Sequence, residues 1–201
     1  REGGPLVWPI LLLGLVALVI VVGKFIFLNR VHANTDKLMG EVNVLAARED
    51  WDGCDRLIAD VGKGRKPVVR VIKAGLAARG KSREVLESVL QEAILHELPS
   101  LQRGLAALAV MGAVAPLLGL LGTVTGMIET FRVITVFGTG DPKLMSGGIS
   151  EALVTTELGL AVAIPIMLLH TLLSRRADHI LGDMEKQAVG MTNLIAREED
   201  D

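Results

Sequence analysis

Trp8–Leu28 reads WPILLLGLVALVIVVGKFIFL, an apolar run of 21 residues that is interrupted only by Pro9, two glycines and Lys24. As an α-helix this run would reach about 30 Å, which is the thickness of the hydrocarbon core of a bilayer. Two further apolar runs of membrane length follow, at about residues 105–137 and 149–173. The three runs predict an all-α, polytopic membrane protein with three transmembrane helices.

The composition is typical of the same class of protein. Hydrophobic residues make up 50 % of the chain and the mean hydropathy is +0.47, while the net charge is only −2. No basic stripe is interleaved with aromatic side chains, so we expect no nucleic-acid partner. Cys54 is the only cysteine, and the four histidines show no ligand spacing. We therefore expect no disulfide, metal or other cofactor, and Cys54 is interpreted as a partly buried structural thiol.

The basic residues predict the orientation of the three helices. Many of them lie between the first and second runs: Arg30, Lys37, Lys63, Arg65, Lys66, Arg70, Lys73, Arg79, Lys81 and Arg83. The loop between the second and third runs carries only Lys143, with Asp141, whereas Arg175, Arg176 and Lys186 follow the third run. By the positive-inside rule, the amino terminus and the short loop lie outside, and the long loop and the carboxyl terminus lie in the cytoplasm. Lys24, near the inner end of the first run, is expected to reach the membrane interface by snorkelling.

These assignments divide the chain into six segments. They are an outer start with the first transmembrane helix (1–28), a cytoplasmic helical domain (29–104), the second transmembrane helix (105–137), an outer loop (138–148), the third transmembrane helix (149–173) and a cytoplasmic C-terminal helix with an acidic tail (174–201). Because the chain begins at Arg1 and not at methionine, we expect it to be processed or a fragment.

Two amphipathic stripes are predicted on the cytoplasmic side. The first follows Ser82 as N-cap, runs toward Pro99, and is expected to lead directly into the second transmembrane helix. Its apolar residues are Val85, Leu86, Val89, Leu90, Ala93, Ile94 and Leu98. The second stripe follows the third transmembrane helix with Leu173, Ala177, Ile180, Leu181, Met184, Ala188, Met191 and Ile195. Since each stripe needs a partner, the two are expected to pair as a helical stalk. Gly62–Gly64 and Pro67 are predicted to separate two earlier helices, and residues 197–201 to form a solvated tail.

The second apolar run contains a row of small residues. Gly119, Gly122 and Gly126 permit a close approach of helices, which favours a packing role. Thr123 and Thr125 can each donate a hydrogen bond to a carbonyl of their own helix, so their spacing alone implies no further role.

The third run is unusual because it carries two carboxylates. Glu151 and Glu157 lie in the outer part of an apolar helix, where each costs on the order of 3 kcal/mol on insertion scales. Such a group indicates an ion or proton pathway, although Glu151 could also be a hydrated interfacial residue. On an ideal helix, Glu151 shares a face with Thr155, whereas Glu157 lies roughly 240° away. One helix therefore cannot direct both carboxylates into the same narrow lumen.

No basic residue lies deep in the membrane to balance these acids. Arg132 is near the outer end of the second run and is expected to pair with Glu129 instead. Buried acids without a basic partner indicate either a homo-oligomer around a wet centre or a second protein. The sequence thus predicts a subunit of an assembly.

Two stretches resemble one known family. Residues 115–127, APLLGLLGTVTGM, and residues 148–156, GISEALVTT, with Gly159 and Ile164-Pro165 beyond them, are similar to the second-span and third-span signatures of the MotA/TolQ/ExbB proton-channel family. The resemblance covers essentially the whole chain, and it is greatest to the ExbB branch, whose first span in some members begins as residues 3–9 do here. It implies a homopentamer in the bacterial inner membrane, with a periplasmic amino terminus, around the single spans of an ExbD-like dimer. Proton flow would then drive a TonB-like protein that energises outer-membrane transport.

The resemblance also assigns roles to particular residues. It places the family's third-span glutamate at Glu151 and its pore-side threonines at Thr123 and Thr156. Thr155 is retained as a candidate because it suits the Glu151 face better than Thr156 does. Glu157 departs from the family pattern and leaves open how many protonatable sites line the pathway. Within the two signatures, Gly119, Gly122, Gly126, Pro116, Gly159 and Pro165 are interpreted as helix-packing residues.

Three other interpretations remain at this stage. A TolQ-like subunit of the Tol-Pal envelope system is the nearest alternative. A passive membrane scaffold and a stand-alone ion channel belong to different classes. The sequence lacks GxSxG, a Walker loop and a GxGxxG after a strand, so no enzyme is predicted.

Overall fold

The computed structural model describes residues 4–46, 50–61, 67–138 and 142–200. Within these ranges the secondary structure is helical and contains no strand, which confirms the predicted all-α class. The six helices are α1 (Val7–Ala46), α2 (Trp51–Val61), α3 (Pro67–Ala77), α4 (Arg83–Gln102), α5 (Leu105–Phe137) and α6 (Pro142–Asp200).

Three helical stretches are long and apolar enough to cross a membrane. They lie within Val7–Val31, Arg83–Phe137 and Met145–Asn193. Only 22–28 % of the apolar window in each stretch is buried inside the chain, so most of this surface faces outward. An outward apolar surface on a helix with internally satisfied backbone groups is what a lipid environment requires. The prediction of three transmembrane helices is confirmed.

All three of these helices are longer than the hydrocarbon core of a bilayer, and α5, with 33 residues, is the shortest at about 50 Å. α1 has 40 residues and α6 has 59, which correspond to about 60 Å and 90 Å of helix. Each therefore extends beyond the hydrocarbon core, in agreement with the predicted long helices.

The chain divides into two compact units. The apolar unit comprises residues 1–24 and 104–173, and the polar unit comprises residues 25–103 and 174–201. Lys24, the last residue of α1 in the apolar unit, is only 7 % exposed. Its side chain is packed inside the chain, and its position at the membrane interface stays a prediction.

The sequence predicted that α4 would lead directly into α5, but the structure shows a break between these two helices. α4 passes through Pro99, whose carbonyl accepts a hydrogen bond from the amide of Arg103 at 2.9 Å. Gly104 then has a φ of +86°, a left-handed conformation that glycine adopts without a steric cost. The helix is therefore interrupted at residues 103–104 and does not lead directly into α5. α5 itself covers 105–137, the residues of the second apolar run.

The core of the polar unit joins α3, α4 and the C-terminal part of α6. Gly75 lies so close to these helices that an added Cβ would be 2.7 Å from the sulfur of Met191 and 2.9 Å from Leu90. Arg83 also donates a hydrogen bond to Asn193 at 3.3 Å. The predicted pairing of the two amphipathic stripes is confirmed, except that Val85 is exposed. Ser82 occupies the N-cap of α4 but makes no side-chain capping bond.

Two sequence predictions lie outside what the structure describes. The separation of helices at Gly62–Gly64 falls between α2 and α3, in residues that are not described. The side chains of the predicted solvated tail, 197–201, are likewise not described.

An ion pair that the sequence did not predict connects α3 to α4. The Nε of Arg70 lies 2.8 Å from one carboxylate oxygen of Glu97, and an Nη donates to the other oxygen at 2.9 Å. The Glu97 side chain is only 3 % exposed, whereas that of Arg70 is 54 % exposed. Ser100 donates to the carbonyl of Glu97 at 2.8 Å and more weakly to its carboxylate at 3.4 Å. Glu97 is thus a buried carboxylate whose charge is balanced by a half-exposed arginine.

Cys54 is fully buried in the polar unit, with its sulfur 3.9 Å from the carbonyl of Val42. Burial raises the pKa of the Cys54 thiol, and the nearby Asp50 and Asp55 raise it further. Because the thiolate is the reacting form, less of it is present at neutral pH than in an ordinary thiol. We expect iodoacetamide to alkylate Cys54 more slowly than a small-molecule thiol at pH 7.5, with the rate still rising above pH 9. Mass spectrometry of the folded chain measures this rate. Alkylation as fast as that of the free thiol would contradict the expectation.

Candidate functional site

The site lies in the apolar unit, where α5 and the first half of α6 pack through a face of small residues. On α5 the buried positions are Gly112, Ala115, Gly119, Gly122, Gly126 and Thr130. On α6 they are Ala152, Thr155, Gly159, Ala163 and Ile166, with Gly148 half-buried at the start of the row. Successive positions are three or four residues apart, so each set forms one helix face. Small side chains on both faces let the two backbones approach closely.

The contact is closest around Gly159. A Cβ added to Gly159 would lie 2.9 Å from the carbonyl oxygen of Ala115 and 3.0 Å from the Cα of Gly119. One added to Gly119 would lie 3.1 Å from the carbonyl oxygen of Thr155. Since these obstructing atoms belong to the backbone, no side-chain rotation can make room.

The hydroxyl groups of the threonines in the site donate hydrogen bonds to backbone carbonyls. Thr123 donates to Leu120 at 2.7 Å, and Thr125 donates to Leu121 and Gly122, as the sequence predicted. Thr156 donates both to its own helix and across the contact, to the carbonyl of Gly119 at 3.2 Å. Thr156 therefore links α6 to α5, and its side chain is half-buried.

Thr155 lies inside the helix contact. It is 1 % exposed, and its hydroxyl donates to the carbonyls of Glu151 at 2.7 Å and Ala152 at 3.1 Å. A Cβ added to Gly122 would overlap the Thr155 side chain. In this arrangement Thr155 fills the space that Gly122 leaves open.

The two carboxylates of α6 lie in different surroundings. Glu151 is half-buried, and its carboxyl group lies directly against the backbone of Gly4, which precedes α1. Glu157 is exposed. Among the described residues, neither forms an ion pair. Arg132 pairs instead with Glu129 at 3.7 Å, as predicted, and both side chains are exposed.

The prolines of the two signatures differ in their packing. Pro116 is half-buried within α5, whereas Pro165 is exposed within α6. Pro165 therefore contributes little to packing inside the chain.

Large apolar side chains cover the outward faces of both helices. On α5 they include Leu117, Leu120, Leu121, Val124, Ile128 and Phe131, and on α6 Leu153, Leu160, Ile164, Met167 and Leu168. Glu157 is exposed on the same helix as the second set. Across the described ranges, no group of three or more His, Cys, Asp or Glu residues could hold a metal ion.

Residues 63–186 match the MotA/TolQ/ExbB proton channel family. The chain belongs to this family. Members of the family are transport and channel subunits rather than enzymes, and this chain is a multi-pass membrane protein of ExbB/TolQ type.

The relatives of this chain include proteins named ExbB and a protein named TolQ. The chain is 32 % identical over 186 residues to a putative biopolymer transport protein ExbB homolog of Methanothermobacter thermautotrophicus, covering 92 % of this chain and 65 % of the relative. It is 34 % identical to the putative biopolymer transport protein ExbB-like 1 of Synechocystis sp., covering 86 % and 68 %. It is 30 % identical to the Tol-Pal system protein TolQ of Pseudomonas aeruginosa, covering 66 % and 64 %. The chain thus spans only about two thirds of the length of these relatives.

Sequence reasoning missed two parts of this MotA/TolQ/ExbB site. Gly112 and Gly148 extend the small-residue face at both ends, where an added Cβ would be 2.9 Å from Met167 and 2.8 Å from the carbonyl of Gly126, respectively. Extending the three-and-four spacing of Gly119, Gly122 and Gly126 in both directions would have found Gly112. No sequence signal links Gly4 to Glu151.

Proposed function

We propose that this chain is the proton-conducting motor subunit of an inner-membrane complex of the ExbB–ExbD–TonB type, which uses the proton motive force to energise active transport across the outer membrane. The observation that carries the proposal is Glu151, a half-buried carboxylate without a basic partner among the described residues, on an apolar helix of a proton-channel family member. An ionisable group in such a helix is costly and typical of proton pathways.

In this proposal Glu151 takes up and releases the proton. Thr123 and Thr156 supply hydroxyl oxygens beside the pathway, and these oxygens can accept a hydrogen bond while each hydroxyl group donates its own hydrogen bond to a backbone carbonyl. Thr155, buried against Gly122, would line the pathway only if α5 and α6 separated, so we assign it to packing. Glu157 is exposed and is proposed to face a neighbouring subunit or a secondary route.

The proposed assembly is a homopentamer in the bacterial inner membrane around an ExbD-like dimer, which in turn acts on a TonB-like protein. The outward apolar faces of α5 and α6 offer surface for lipid and for neighbouring copies. The proposed orientation, with a periplasmic amino terminus and a cytoplasmic carboxyl terminus, is supported by the basic residues between α1 and α5 and after the third apolar run.

The test is proton flux into vesicles that contain the chain with its single-span partner. Glu151→Gln keeps the size of the side chain but removes its titrating proton, so we expect the partner-dependent flux to fall about a hundredfold or more, the scale of losing a proton-transfer group. Glu157→Gln is the matched control on the same helix and should keep most of the flux. Thr155→Val, which keeps the shape of the packed side chain, should also stay close to native. Unchanged flux in Glu151→Gln would refute the proposed role.

The same vesicles separate the remaining functions. Strong flux without the partner would favour a stand-alone channel, and no flux in any preparation would favour a passive scaffold. A TolQ-like role is the second candidate, and it is supported by the 30 % identity to a Tol-Pal system protein. Complementation decides between the two systems: restored uptake of iron complexes supports the TonB type, whereas restored resistance to detergents supports the Tol-Pal type.

A further inference from the structure

The start of the described chain lies against the carboxylate of the proposed pathway. Residues 5–6 form a turn just before α1, and Gly4, which precedes this turn, has a φ of +63°. A Cβ added to Gly4 would overlap the Oε1 and Cδ atoms of Glu151 and would lie 3.0 Å from its Cγ. The carboxyl group of Glu151 therefore occupies the space that any other side chain at position 4 would need.

Two independent features favour glycine at position 4. Its backbone lies in the left-handed region, which L side chains rarely adopt. Its missing side chain also leaves room for the carboxyl group. The atoms in the way of a Cβ are the end of a flexible side chain. The structure can therefore admit a methyl group at position 4 by moving the Glu151 carboxyl group, whereas a methyl group at Gly159 would meet backbone.

We propose that Gly4 is a positioning residue for Glu151. Its backbone covers one side of the carboxyl group and holds the side chain in one rotamer, so that protons reach Glu151 only from the uncovered side. This inference rests on the proposed function of Glu151 in proton conduction. The contact itself, however, can be measured whether or not Glu151 conducts.

The first test measures the contact. Membranes from cells that express the full chain are treated with dicyclohexylcarbodiimide, which reacts with protonated carboxyl groups in apolar surroundings, and labelled Glu151 is quantified by mass spectrometry. Gly4→Ala should displace the carboxyl group from its cover and increase the rate of labelling. Gly138→Ala is the matched control, because Gly138 lies in the same unit with a φ of +73° and an added Cβ would meet nothing within 4 Å. Equal labelling in the native chain and Gly4→Ala, or the same rise in both variants, would overturn the proposal.

The second test measures the consequence for conduction. In vesicles that contain the partner, Gly4→Ala should lower proton flux about tenfold, since small misplacements of a reacting group carry losses of this order or more. Gly138→Ala should keep the native flux. A fall in both variants would identify backbone strain, not the contact, as the cause and would overturn the proposal.

A shorter acid gives an internal check. Glu151→Asp withdraws the carboxyl group from position 4, so adding Gly4→Ala to this variant should cost little further flux. Losses that multiply in the double variant would show that the two residues act independently, which would overturn the proposal. If Glu151→Gln conducts normally, the proposed function fails, and the labelling comparison still decides whether Gly4 positions Glu151.

Discussion

Gly159→Leu is expected to prevent the close packing of α5 on α6 and to lower the thermal stability of the chain. Even the first atom of the new side chain would lie 2.9 Å from the carbonyl of Ala115 and 3.0 Å from the Cα of Gly119. Overpacking of this kind costs about 1–3 kcal/mol for small additions, and occasionally more. Because only backbone atoms stand in the way, the helices themselves must separate to admit leucine.

Gly147→Leu provides the control for this substitution. Gly147 lies on the same helix, is exposed, and has nothing within 4 Å of an added Cβ. The two variants add the same apolar side chain to α6, so a difference between them reports the helix contact alone. Heating in detergent followed by gel filtration gives the midpoint of the loss of folded protein, and Gly159→Ala should fall between native and Gly159→Leu. Equal midpoints for the two leucine variants would show that the α5–α6 contact does not limit stability.

The transmembrane helices could be predicted from sequence because a bilayer imposes one length and one composition. Residues 105–137 form a single helix in the structure, with Gly104 and Gly138 at its two ends, both with positive φ. The amphipathic stripes were predictable for a similar reason, since helical periodicity specifies which residues share a face. Periodicity does not specify which neighbour covers that face at each level, so the exposure of Val85 within its stripe was not predicted.

The details of the site depend on contacts that no local pattern encodes. Ideal geometry places Glu151 and Thr155 on one face, but Thr155 is buried against Gly122 while Glu151 is half-buried against Gly4. One turn of helix thus separates a packing residue from the candidate proton carrier. Which of these two side chains is accessible depends on the part of the chain that packs against it: Gly122 of α5 against Thr155, and Gly4 against Glu151.

The Arg70–Glu97 pair is a second case of this kind. The two residues are 27 positions apart, and the sequence indicated for Arg70 only a contribution to the positive charge of the cytoplasmic side. The pairing follows from the packing of α3 on α4, which places Glu97 beneath a side chain long enough to reach it. The pair therefore offers a test of the polar unit that is separate from conduction.

Arg70→Met is expected to destabilise the packing of α3 and α4 by about 3 kcal/mol, the low end of the range for breaking a buried ion pair, because water can reach the half-exposed side of this one. The methionine keeps the apolar stem but leaves the carboxylate of Glu97 buried, with Ser100 as its remaining donor. Hydrogen exchange of the α3 and α4 amides in the full chain measures the free energy of local opening.

Replacing the other partner, Glu97, should lower the stability of the α3–α4 packing much less. Arg70 is already half-exposed, so water can solvate its charge when Glu97 is gone. We expect Glu97→Gln to lower the opening free energy by about 1 kcal/mol, as for a pair that water can replace. The double variant Arg70→Met/Glu97→Met buries no charge, so it should be more stable than Arg70→Met alone and close to the native chain. This order follows from the burial of the carboxylate and not from the strength of the ion pair itself. If Glu97→Gln were as destabilising as Arg70→Met, the bidentate bond and not the buried charge would hold α3 on α4.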